Sequence, residues 1–137
     1  AAPPTTTTTT TVPVTTTTTT SPNIPRNAAV FCEGARAVTA FELRSVADRL
    51  DQDFASMRAR LATARASWEA GAAKMQVGAP PTLDASLATY VRGYKSLFDA
   101  VASSPTPEEL RSRLDVAGVQ AASAEGERIG TAVRSAC

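Results

Sequence analysis

Large apolar residues at Leu83, Leu87, Tyr90, Val91, Tyr94, Leu97, Phe98 and Val101 recur every three or four positions. At about 100° per residue they fall on one face of a helix, and no period-two strand can gather them. A second run keeps the same spacing: Leu43, Val46, Leu50, Phe54, Met57, Leu61, Ala64, Trp68, Ala72 and Met75. An earlier stripe, Phe31, Ala35 and Val38, is rotated by roughly 100° from that run. One straight helix through both would point its apolar residues two ways, so the sequence predicts a break between about residues 39 and 48. Two capping signals lie in that window. The first is "TAFE" at 39–42, with Val38 and Leu43 as its hydrophobic staple; the weaker second is "SVAD" at 45–48.

Starts and stops punctuate the rest. Asn27 is placed to cap the first helix. "QVGAPPT" at 76–82 ends the long one: Gly78 suits a left-handed C-terminal position, and Pro80 and Pro81 block continuation. Thr106 is an N-cap, with Pro107 at the first helical position and Glu109 closing the box. Leu110 and Leu114 of this short helix face inward, and Gly118 is expected to break it. The last segment, 119–136, is rich in Ala and Gly, which predicts close packing up to Cys137. No alternating strand pattern appears. The expected fold is all-α, an antiparallel up-down helical bundle of four main helices plus one short helix over 26–137. Twenty-seven alanines and twelve arginines, both good helix formers, point the same way.

Residues 1–25 differ in kind. Thirteen of the first twenty are threonine, and no charge precedes Arg26. β-Branched Thr is poor in helix, and Pro3, Pro4, Pro13, Pro22 and Pro25 interrupt regular structure. Too little apolar surface is present to offset ordering entropy. The expectation is a disordered stalk able to reach about 80 Å when stretched. The chain does not begin with Met, which is read as processing, with a signal segment upstream.

Charge and chemistry exclude more than they suggest. The net charge is +1, so no field draws nucleic acid or an anionic membrane, and no nucleic-acid partner is expected. Histidine is absent, which removes His-based acid/base catalysis and His-ligated zinc or haem. Serines lack an activating base, and "GERIG" at 126–130 lacks the phosphate-loop pattern. Asp48, Asp51 and Asp53 point in different directions on a helix, and "DRLDQDF" lacks the glycine and closing Glu of a calcium loop. Arg58, Arg60 and Arg65, with Arg49, form a basic face whose acids at Asp53 and Glu69 read as self-pairing. No enzyme, metal or cofactor is expected. Trp68, Tyr90, Tyr94 and Phe98 are the candidate lining of a ligand cavity, and equally an ordinary core. Cys32 and Cys137 are expected to form a disulfide tying the last helix to the first, in preference to two unpaired thiols. Closing so long a loop is worth about 4–5 kcal/mol by chain entropy and implies an oxidising compartment.

With the stalk, "FCEGAR" around Cys32, the "APP" turn at 79–81 and "VRSAC" at the end in place, the chain resembles a loose class of small secreted proteins and lipoproteins of actinobacteria. These carry a Thr/Pro-rich N-terminal stalk and a helical domain with a Cys pair joining first helix and C-terminus. The resemblance implies an extracytoplasmic site, secreted or anchored in the cell envelope. It further implies O-mannosylation of the stalk and a lipobox cysteine upstream of Ala1, the one route to a membrane. The expected function is a non-catalytic helical interaction module whose partner is an envelope or extracellular protein. The alternative is a carrier of a small apolar ligand, lipid or haem, in an interhelical cavity.

Overall fold

The computed structural model describes residues 3–5, 23–41, 49 and 53–137. Among them it is all-helical, with five α-helices: α1 (Ala28–Thr39), α2 (Phe54–Gly78), α3 (Asp84–Ser103), α4 (Pro107–Arg113) and α5 (Val116–Ala136). A single 3₁₀ turn, Pro81–Leu83, joins α2 to α3. Asn27 caps α1 by accepting from the Val30 N–H at 3.1 Å. Thr106 caps α4 by accepting from the Glu109 N–H at 3.3 Å, with Pro107 in the first turn. Leu110 is buried and Leu114 half-buried, as expected. The stalk assigned to 1–25 lies mostly outside the described residues, as do Leu43, Val46, Leu50, Asp48, Asp51 and the "SVAD" signal.

α1 ends at Thr39, at the start of the window in which a break is expected, and the Thr39 hydroxyl donates to the Ala35 carbonyl at 2.8 Å; Glu42, which would close the "TAFE" box, lies outside the described residues. Three expectations are corrected. The run from Leu43 to Met75 is not one helix. The backbone leaves helical geometry at Asp53, whose carboxylate accepts from the Ser56 N–H and starts α2. Gly78 is not left-handed. It is the last residue of α2, and a Cβ there would lie 2.6 Å from the Asn27 carbonyl and the Phe31 nitrogen, so it is glycine to admit α1. Gly118 breaks nothing. The interruption falls at Leu114–Asp115, and Asp115 caps α5 by accepting from the Gly118 N–H at 3.0 Å.

Neighbouring helices run antiparallel. In α1–α2, the Asn27 N–H donates to the Gly78 carbonyl while Gly34 sits against Gly71 and Met75. In α2–α3, Arg58 reaches Val101 and Ala102 while Trp68 meets Tyr90 and Tyr94. In α3–α5, Gly93 lies beside Gly118 and Ala122 while Arg128 donates to the Ser86 hydroxyl at 3.3 Å. The interfaces differ in kind. The first and third are backbone-close, made by glycine and alanine. The second is filled by large side chains: Met57, Leu61, Trp68, Leu97 and Phe98 are all buried. A cystine, Cys32–Cys137, with Cα atoms 5.7 Å apart, joins α1 to the end of α5.

The close interfaces leave no room for a side chain. A Cβ on Gly93 would stand 2.5 Å from the Ala122 Cβ and closer still to the Gly118 carbonyl, and one on Gly34 would stand 2.7 Å from the Met75 nitrogen. The Gly118 carbonyl and the Met75 nitrogen are helical backbone, so whole helices must shift. Gly93→Ala is expected to cost about 1–3 kcal/mol, read as a lower urea midpoint. An unchanged midpoint would show that α3 and α5 are not held this close.

The residues that lead into α1 meet the bundle at the cystine end. The Arg26 guanidinium meets the Asp84 carboxylate through two bonds of 2.7 Å, and the Arg26 N–H donates to the Ala79 carbonyl. This pairing holds the Asp84 carboxyl below its ordinary value. The C-terminal Cys137 lies at the same end. The opposite end carries Ala40–Phe41, the start of α2, the end of α3 and α4. Among the described residues, no helix is long and apolar enough to cross a membrane.

Candidate functional site

Heptad-like spacing on α3 and α2 brings the four predicted aromatics together. Phe98 stands 5.1 Å from Trp68 between ring centroids, Tyr90 and Tyr94 each stand 6.4 Å away, and the two tyrosines meet edge-on at 4.7 Å. These are ordinary stacking and edge-to-face distances. The rings occupy one another's faces, and Trp68 is fully buried. The quartet is thus a filled seam between α2 and α3, not the wall of a cavity among its own members.

Two polar details mark this seam. The Trp68 indole N–H has no hydrogen-bond partner among the described residues. Burial, with Tyr94 adding to it, pushes the Tyr90 phenol up to about 12 from 10.0. Tyr90 therefore stays neutral at neutral pH. Because its pKa is raised on folding, the stability it contributes is present below pH 10 and lost between there and about 12. Alkaline melting curves should fall across that window and flatten in Tyr90→Phe. An unaltered slope in that variant would place the alkaline loss elsewhere.

Open space lies further along the same seam. A cleft of about 360 Å³ runs between the first half of α2 and the last turns of α3, at the end away from the stalk root. Phe54, Leu61, Phe98 and Val101 line it, Ala55, Ala59 and Ala62 leave room along α2, and Arg58 and Arg65 also border it. Phe98 is the one predicted lining residue it includes. The arginines are committed differently. Arg58 Nε and Nη2 donate to the carbonyls of Val101 (3.3 Å) and Ala102 (2.8 Å), the C-terminal turn of α3. Arg65 donates to Glu69 at 3.0 Å and to Asp99, and lies 6.0 Å from the centre of the Phe98 ring. The expected Arg65–Glu69 pair thus forms, with Asp99 added to it. The alanines at 55, 59 and 62, spaced four and three along an otherwise exposed face, were the available sequence signal for this trough. Small residues on a helix read as filler until a neighbour is known.

Two other clefts flank the C-terminal half of α5. One, about 890 Å³, lies between Ile24, Thr82 and α5; the other, about 480 Å³, lies beside the cystine between α1 and α5. Among the described residues, no group of three or more acidic or Cys side chains is gathered for a metal. No family model matches the chain, and neither a curated protein nor a solved structure matches it.

Proposed function

We propose that this chain is a non-catalytic, extracytoplasmic interaction module, an up-down helical bundle held out on a Thr-rich stalk and presented to an envelope or extracellular protein. The observation that carries the reading is the place at which the chain enters the bundle from the threonine segment. Arg26 clamps the stalk root to Asp84 and the backbone of Ala79, beside the cystine that holds Cys137. The opposite end of the bundle is then the surface turned away from the tether. A cystine favours an oxidising compartment, and the uncharged threonines supply reach and hydroxyls for sugar. Fractionation of the native source with intact-mass analysis tests the placement. The expected protein is extracytoplasmic, lighter by the two hydrogens of the cystine and heavier by hexoses. Cytosolic protein with two free thiols would sink the reading. A photo-crosslinker at Glu108, at the far end, should then give an adduct that the same probe at Glu127 does not. Equal labelling would remove the far end as the contact surface.

The cleft between α2 and α3 favours a second reading, a carrier of a small apolar ligand. Its volume falls at the low end of ligand sites, which span roughly 300–1,000 Å³. The site of that reading moves from the aromatic quartet to the trough beside it.

A further inference from the structure

We infer that the cleft between α2 and α3 takes a single-chain anionic amphiphile, with its carboxylate or phosphate head on Arg58 and its tail along Phe54, Leu61, Phe98 and Val101. The inference rests on the carrier reading and adds the ligand class to it. The floor is apolar, as an acyl chain requires. The two arginines that border it are not alike. The Arg58 guanidinium makes its two bonds to main-chain carbonyls, so a full positive charge faces dipoles only partly able to balance it. The Arg65 guanidinium is shared by two carboxylates, Glu69 and Asp99, which leaves that end net negative. Arg58 and Arg65 are seven residues apart on one helix, roughly 10 Å along its axis. An anionic head is therefore drawn to Arg58 and repelled from the Arg65 end, and the tail lies over the apolar floor beside it. The volume of about 360 Å³ suits one chain and not the two of a membrane phospholipid.

Trp68 reports on this site. Its ring touches Phe98, which lines the cleft. The full chain is titrated with dodecanoate, dodecanol and dodecylammonium, each below its aggregation concentration, by Trp68 fluorescence and calorimetry. Dodecanoate is expected to bind at least tenfold tighter than the other two. Arg58→Gln should weaken it about tenfold, Arg58→Lys should restore most of the loss, and Ala59→Leu, which fills the trough from an exposed position, should abolish binding. Melting curves of each variant check that the fold persists. If dodecanol binds as well as dodecanoate and Arg58→Gln changes nothing, the head-group assignment falls while the carrier reading stands. Preference for dodecylammonium, or dodecanoate binding untouched by Ala59→Leu, also overturns the inference. If none of the three binds, both fall together.

Discussion

Replacing the cystine, as Cys32→Ser with Cys137→Ser, is expected to lower the melting temperature by roughly 15–30 °C. The two half-cystines are 105 positions apart. Joining them removes about 4–5 kcal/mol of chain entropy from the unfolded state, and each kcal/mol is worth several degrees in a domain of this size. The folded state adds a reason for a large effect. Within α5 the buried residues are Ala122 and Ile129, and its C-terminal half is bordered by two clefts. Without the cystine, the last turns of α5 keep only the half-buried Ala132, Val133 and Ala136 to hold them against the core. Hydrogen exchange should show amides after Ile129 losing protection before those of α3. A shift below about 5 °C would mean that the unfolded chain is already compact enough to lose little entropy on closure.

Trp68→Ala is expected to cost about 3–5 kcal/mol, the usual range for truncating a large buried ring. Trp68 is fully buried, and its ring contacts tie Tyr90, Tyr94 and Phe98 of α3 to α2. Among the described helix pairs α1–α2, α2–α3 and α3–α5, the seam it fills is the one built from large side chains, so no backbone approach compensates for its loss. Trp68→Phe separates two contributions. It shrinks the ring, which costs, and it removes a buried indole N–H that has no partner among the described residues, which relieves a penalty of about 1–3 kcal/mol. The phenylalanine variant should therefore lose less than about half of what alanine loses, by urea midpoint. Equal losses would show that the N–H is not a burden in the folded protein.

What the sequence made legible was its large side chains. The face from Leu83 to Val101 appears where the 3.6-residue period puts it, and Leu83, Leu87, Val91, Tyr94, Leu97, Phe98 and Val101 are all buried. The same helix has a second buried face that the period did not announce: Ser86, Gly93 and Ala100, seven apart. Gly93 on that face lies against Gly118 and Ala122 of α5. Small residues bury backbone and not side chain, so they carry no hydropathy signal. Glycine was misread for the same reason. Gly78 and Gly118 looked like punctuation, whereas Gly78 admits a neighbouring helix and Gly118 serves within the capped first turn of α5. The Asp53 cap was hidden inside an unbroken apolar spacing, because a cap needs one side-chain oxygen and no change of pattern. The candidate site was half legible. Its aromatics were found and do meet, but the open space beside them is defined by alanines.

The cystine also decides how the domain responds to a pull. From Cys32 to Cys137 the polypeptide is a closed ring, and the chain enters α1 five residues before it, at Asn27. Tension applied through the residues that precede Asn27 can unwind at most the first turn of α1 before it reaches a covalent junction. Beyond that junction the load divides between two arms, one through α1 and one through the end of α5, and each bears part of it.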